Sequence, residues 1–222
     1  LTLLEDTRKH VDKLAASFHQ GNMIKNGVPV AIVGPANAGK STLLNALLGE
    51  ERAIVTDIPG TTRDTIEETL NINGILFRFI DTAGIRESSD TVEKIGIERT
   101  FRKISEAEIV LCLLDGRSEE SDLLNNLTLL FQHVDSFRQE VFILLNKADQ
   151  IAQEDANKNV TAINKFVLSA DKKANVLILS AKEQKGLKGL KDALYDTEKG
   201  LIPNEDSTFV TNVRHFEALQ NA

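Results

Sequence analysis

The segment Gly34-Pro35-Ala36-Asn37-Ala38-Gly39-Lys40-Ser41 carries the spacing G-x-x-x-x-G-K-[ST]. Its glycines allow a tight backbone wrap, so that successive N–H groups converge on one point where phosphate oxygens bind. Lys40 brings a point charge and Ser41 a hydroxyl suited to Mg²⁺. An apolar run from Val28 to Val33 leads into the loop, and an apolar-periodic helix follows from Thr42 to Leu48. That order aims the positive end of a helix at the same point. Asn37 to Thr42 are the expected phosphate contacts.

A second set, Asn146-Lys147-Ala148-Asp149, follows the apolar run Val141–Leu145. At the carboxyl edge of an open α/β sheet this is where ligands bind. A carboxylate there accepts two hydrogen bonds, from the ring N–H and the exocyclic amine of guanine. Adenine leaves it desolvated and unpaired, a discrimination of roughly 10⁴ or more. Ser180-Ala181-Lys182, after the next strand, is expected to give a backbone N–H to the guanine carbonyl. The N-K-x-D set is weak evidence by itself, but after a phosphate loop it points to GTP rather than ATP.

The third set concerns the γ-phosphate. Asp81-Thr82-Ala83-Gly84 closes a strand, with Asp81 placed to hold Mg²⁺ through water and the Gly84 N–H to sense the terminal phosphate. Thr62 is the natural second Mg²⁺ hydroxyl beside Ser41. Ras-like enzymes orient water with a glutamine after D-T-A-G; here that position is Ile85, which can neither accept a proton nor hold water in line. Arg86, Glu87, Asp90 and Glu93 are the candidates to replace it. Asp90 and Glu93 also have the spacing of a helix cap, so Glu93 carries two readings. The charge of an arginine finger could come from Arg63 or Arg86. Alternatively, a monovalent cation could be held by the Asn37 amide oxygen and by carbonyls of the Thr56–Thr61 loop.

These residues require a particular frame. Strands are expected at Val28–Val33, Ile66–Ile72, Ile75–Ile80, Ile109–Leu114, Val141–Leu145 and Val176–Leu179, and helices at 40–48, 91–105, 121–134, 154–168 and 187–197. Their alternation predicts a mainly parallel α/β sheet. Asn73-Gly74 predicts one hairpin and hence one antiparallel edge strand, the arrangement of small GTPases. The central domain spans 28–199. Residues 1–27 read as a helical flank with Leu4, Val11, Leu14 and Phe18 near one face, broken at Gly21-Asn22 and Asn26-Gly27. Residues 200–222 read as a linker with a short returning helix. The chain opens on Leu1 rather than Met and reads as a fragment of something longer.

Composition narrows the function classes. The 222 residues carry a net charge of −7, which argues against a non-specific grip on nucleic acid. A single cysteine, Cys112, sits in an apolar run and reads as a core residue, and a chain without possible disulfides suits the cytosol. His10, His19, His133 and His215 lack metal-ligand spacing.

The stretches Ala53–Asp64 and Asp81–Glu87 resemble the switch segments of the translation-factor-related GTPases. Asp90–Arg99, with Thr211-Asn212-Val213-Arg214-His215 and Ala218-Leu219, is similar to the tRNA-modification GTPases called MnmE or TrmE. The resemblance implies a Ras-like P-loop GTPase domain inserted between helical segments, which hydrolyses GTP and dimerises through its nucleotide face. It implies a GTP contact loop over Thr56, Asp57, Ile58, Pro59, Gly60, Thr61 and Thr62. It further implies K⁺ activation with ligands at Asn37, Thr56, Ile58 and Thr61, and Glu93 as the catalytic residue. The whole protein is expected to work with the FAD-containing MnmG on the wobble uridine of tRNA, using a folate-derived carbon bound by an amino-terminal domain absent here. The carboxy-terminal C-x-G-K motif is also absent, and Cys112 is not its equivalent. Pro35-Ala36 departs from the family order, in which proline directly precedes the asparagine. Two other readings stand beside this one. A ribosome-assembly GTPase of the Der type shares D-T-A-G-I-R but is disfavoured by Ile95–Arg99 and the acidic flanks. A nucleotide-gated binding module with little turnover is compatible with Ile85.

Overall fold

The computed structural model describes residues 21–49, 68–80 and 104–201. In chain order the elements are β1 (Val28–Val33), α1 (Lys40–Gly49), β2 (Glu68–Ile72), β3 (Ile75–Phe79), β4 (Ile109–Asp115), α2 (Glu120–Phe131), β5 (Glu140–Asn146), α3 (Gln153–Ser169), β6 (Asn175–Ile178) and α4 (Leu187–Glu198). The six strands form one sheet in the order β2-β3-β1-β4-β5-β6. Only β2 and β3 pair antiparallel; every other pair is parallel. The expected edge hairpin is therefore present. Its turn residues, Asn73 and Gly74, both take positive φ, 50° and 92°, the backbone that a two-residue hairpin turn requires.

Helices cover both faces, which explains the unbroken apolar runs of the central strands. Every residue of β4 from Ile109 to Leu114 is buried. On one face Leu43, Leu44 and Leu47 of α1 and Leu187, Leu190 and Leu194 of α4 pack with Phe77, Phe79 and Phe142. On the other, Leu123, Leu127 and Leu130 of α2 and Ile163 and Val167 of α3 pack with Val110, Ile143 and Leu145. The spacing of three and four along each helix brings these side chains onto one stripe. Phe77, Phe79 and Phe142 are fully buried, and removal of each from water contributes about 1.5–3 kcal/mol.

The described structure departs from the expected pattern most clearly at Gly21-Asn22 and at the ends of β4 and β5; in addition α2 stops at Phe131, short of the expected end at 134, and β6 is shifted back by a residue from Val176–Leu179. Residues 21–26 are helical, so Gly21-Asn22 is not a break. Met23 packs against the core, and that contact outweighs the roughly 1 kcal/mol that glycine costs in a helix. The helix ends instead at Gly27, whose N–H donates to the Met23 carbonyl at 2.8 Å. β4 and β5 each run one residue past their last apolar position, so that Asp115 and Asn146 stand side by side in register. The carboxyl ends of β1, β4, β5 and β6 thereby form one edge, with the phosphate loop, Asp115, Asn146 and the Ser180 turn along it.

The expected helix over 91–105 falls mostly outside the described residues, which show only 104–106 as helical. The flanks 1–20 and 202–222 also lie outside them.

Candidate guanine nucleotide site

The phosphate loop leaves β1 at Gly34 and enters α1 at Lys40. The Leu43 N–H donates to the Gly39 carbonyl at 2.8 Å, and the first turn of α1 holds no acidic residue. Its positive end is thus left for an anion. Lys40 Nζ donates to the carbonyls of Gly34, at 2.9 Å, and Pro35, at 2.8 Å. Burial lowers the Lys40 pKa from its ordinary value. An ammonium held among carbonyls in a desolvated loop gains by meeting phosphate oxygens.

Asn146 joins the separate loops. It is 2 % exposed. Its Nδ2 donates to the Ala38 carbonyl at 2.8 Å, and its Oδ1 accepts the Ala181 N–H at 2.9 Å. Gly39, with φ +103°, passes so close to Asn146 Nδ2 that a Cβ would overlap it, which fixes glycine at that position. The Ser180 N–H donates to Lys185 at 3.0 Å. Of the three backbone N–H groups in the segment expected to supply one to the guanine carbonyl, those of Ser180 and Ala181 are thus engaged within the protein.

Lys147 takes the left-handed conformation, φ 64°, which costs a non-glycine residue about 1–2 kcal/mol. Its Nζ reaches back to the Asn37 carbonyl at 2.7 Å and pairs with Asp115 Oδ2 at 2.7 Å. Asn37 is itself left-handed, φ 59°.

Asp149 is exposed, in a short turn over Ala148–Gln150. Ser180 Oγ donates to its Oδ1 at 2.5 Å, and the Glu183 N–H donates to Ser180 Oγ at 3.2 Å. The Ser180 hydrogen bond holds the Asp149 carboxyl below the usual carboxylate range. It is therefore an ionised acceptor at neutral pH, as recognition of two guanine donors needs.

The structure brings together Asn37, Ala38, Gly39, Lys40, Ser41, Thr42, Asn146, Lys147, Ala148, Asp149, Ser180, Ala181 and Lys182 along one edge. The remaining expected site residues lie outside the described ones: Thr56, Asp57, Ile58, Pro59, Gly60, Thr61, Thr62, Asp81, Thr82, Ala83, Gly84 and Glu93. Among the described residues, no group of three His, Cys, Asp or Glu side chains is placed to hold a metal ion. An open hollow of 520 Å³ lies away from this edge, at the amino ends of β5 and β6, lined by residues that include Phe137, Glu140 and Asn175.

Sequence reasoning missed Asp115 and Arg117. Asp115 Oδ1 accepts from Arg117 Nε at 3.0 Å and Oδ2 from Arg117 Nη2 at 2.7 Å. That bond, and secondarily the one from Lys147, holds the Asp115 carboxyl well below the usual range. The available signal was a polar residue closing an apolar run at the carboxyl edge, the same feature that marked Asn146. Cys112 lies buried in β4, as expected.

Residues 29–147 match the family model described as "50S ribosome-binding GTPase". The chain is 45 % identical over 222 residues to a tRNA modification GTPase MnmE of Bacteroides fragilis, covering 99 % of this chain and 46 % of that protein. It is 48 % identical over 212 residues to the MnmE of Flavobacterium johnsoniae, covering 95 % and 44 %. The chain thus spans less than half the length of these relatives. Among solved structures, a GTP-binding protein of Sulfolobus solfataricus in complex with GDP shares the fold, with TM-score 0.58 at 20 % identity over 90 % of this chain and 60 % of that one. An Era variant of Aquifex aeolicus bound to GDP and AlF₄⁻ gives TM-score 0.55 at 26 % identity, over 83 % and 60 %. The chain belongs to this GTPase family as a P-loop GTPase domain, and its similarity to the tRNA modification GTPases MnmE runs through nearly its whole length.

Proposed function

We propose that this chain is the K⁺-activated G domain of an MnmE-type tRNA modification GTPase, working at the carboxyl edge of its sheet. The observation that carries the reading is the Asn146 junction, where one buried amide ties the phosphate loop to the Ser180 turn. Such a junction makes phosphate binding and base reading parts of one unit. The base lies against Asp149, which accepts from the guanine ring N–H and exocyclic amine while Ser180 fixes its orientation. The Lys182 backbone N–H, left by the engagement of the Ser180 and Ala181 N–H groups, meets the guanine carbonyl.

At the phosphate end Lys40 exchanges its two loop carbonyls for phosphate oxygens. Ser41 and Thr62 hold Mg²⁺, with Asp81 behind through water. Asn37, Thr56, Ile58 and Thr61 hold K⁺. Hydroxyl, amide and carbonyl oxygens fit such hard cations. The Asn37 backbone carbonyl is already engaged by Lys147, so the ligand from this residue is its side-chain oxygen. When bound, the two cations offset charge that develops on the phosphate oxygens. Glu93 orients the attacking water, in place of the glutamine that Ile85 displaces. The water oxygen bonds to the γ-phosphorus, the bond to the bridging oxygen breaks, its electron pair leaves with GDP, and the water's proton ends on phosphate or solvent.

In the whole protein, this turnover drives a homodimeric switch through the nucleotide faces. It acts with MnmG on the tRNA wobble uridine, in the cytoplasm, with the folate-derived carbon bound in the amino-terminal domain. The 43–48 % identity to MnmE proteins supports this over a Der-type or non-hydrolysing module.

Single-turnover hydrolysis of radiolabelled GTP tests the proposal. K⁺ in place of Na⁺ is expected to raise the rate at least about tenfold, a barrier change of about 1.4 kcal/mol. Glu93→Ala is expected to abolish turnover while GTP binding persists. Equal rates in the two salts would remove the K⁺ role, and undiminished turnover in Glu93→Ala would remove the glutamate from the mechanism.

A further inference from the structure

The turn that closes β4, Asp115-Gly116-Arg117, makes no contact expected of a nucleotide ligand, yet it holds the base-reading loop at three points and is itself braced from behind. The Gly116 N–H donates to the Asn146 carbonyl at 2.8 Å. Asp115 Oδ2 accepts from Lys147 Nζ at 2.7 Å. Arg117 Nη1 donates to Gln150 Oε1 at 3.0 Å. From behind, buried Asn159 of α3 donates to the Gly116 carbonyl at 3.1 Å. Residues 146, 147 and 150 are thereby fixed on both sides of Asp149. The Asp115 carboxylate is the centre of the arrangement, since Arg117 occupies Oδ1 through its backbone N–H, 3.1 Å, and Nε, 3.0 Å, and shares Oδ2 with Lys147.

We propose that Asp115 is a positioning residue for guanine nucleotide retention, acting through Lys147 to clamp the base-reading loop onto the phosphate loop. Lys147 also reaches the phosphate loop directly, at the Asn37 carbonyl, beside the Asn146 bond to Ala38. A free lysine has many rotamers, and ordering it costs conformational entropy. Asp115 meets that cost before nucleotide arrives. Both partners are mostly shielded, with side chains 19 % and 17 % exposed for Lys147 and Asp115. The pair is therefore less screened than a surface ion pair. Arg117, with its side chain 49 % exposed, secures Asp115 rather than the nucleotide.

The inference rests on the guanine nucleotide reading above. The test is the release rate of a fluorescent GDP analogue from the full chain, followed by stopped flow against excess GDP. Asp115→Ala and the isosteric Asp115→Asn are expected to speed release, by about tenfold for the alanine variant and less for the amide, which still accepts one bond. In a Lys147→Ala background, Asp115→Ala is expected to change the rate less than about twofold, because the route through Lys147 is already gone. A general loss of structure would not vanish in that background. If both Asp115 variants release at the parent rate, or if Asp115→Ala speeds release equally in both backgrounds, the positioning role is wrong. If the parent chain itself fails to retain the analogue, the nucleotide reading fails first. Should Asp115→Ala melt far below the parent, the Asp115→Asn comparison in the two backgrounds decides.

Discussion

Asn146→Ala is the most direct challenge to the junction described above. The substitution deletes two hydrogen bonds and leaves their partners, the Ala38 carbonyl and the Ala181 N–H, without an acceptor or donor. Both residues are buried, at 0 % and 2 % exposed. A buried polar group that loses its partner costs about 1–3 kcal/mol. Two of them give roughly 2–6 kcal/mol, less whatever water recovers by entering the space of the lost amide. For a chain of this size each kcal/mol lowers Tm by about 2–4 °C, so the melt should fall by roughly 4–24 °C, toward the lower end where water enters. Circular dichroism melts of the nucleotide-free protein measure this. Asn146→Asp is the informative companion. It keeps an acceptor for the Ala181 N–H but sets a carboxylate oxygen against the Ala38 carbonyl. At pH 7 it should cost at least as much as the alanine. Its deficit relative to the parent should shrink as pH falls and the introduced carboxyl gains a proton to donate. Melts within about 2 °C of the parent for both variants would show that the loops are held by something other than Asn146.

Two further outcomes follow from the electrostatics of this edge. Burial, opposed by the nearby Lys40 charge, pushes the Cys112 thiol up to about 12, so at pH 8 Ellman's reagent should label the native chain only as fast as it opens, and at once in denaturant; immediate labelling of folded protein would contradict the burial. Asp115 and Asp149 both titrate below their ordinary 3.8. Their ionised forms therefore stabilise the fold fully above that value, and the contribution is lost as pH falls below it. Urea midpoints should owe no slope to these two groups between pH 5 and 8, and Asp115→Asn should flatten the decline below about pH 4; an unchanged acid limb in that variant would refute the Asp115 contribution.

Much of this site is legible in sequence because its parts are local. Glycines, Lys40 and Ser41 fall within one loop, and Asn146 to Asp149 within another, each at the end of an apolar run whose burial dictates a strand. The hairpin was equally readable, since Asn73-Gly74 is a local backbone requirement. What sequence concealed was long-range pairing. Asp115 meets Lys147 across 32 residues, and Asn146 meets Ala38 across 108; no spacing rule connects such positions before the strands are ordered. The helical turn at Gly21-Asn22 was hidden for a related reason, since only the packing of Met23 on the core outweighs the local glycine signal.

The central claim is that this edge binds a guanine nucleotide and reads its base through Asp149. Calorimetric titration of the chain with GDP and, separately, with ADP measures it most directly. GDP should bind at least about 10³-fold more tightly, because adenine leaves the ionised carboxylate without its two donors. Comparable affinities for the two nucleotides would contradict the account.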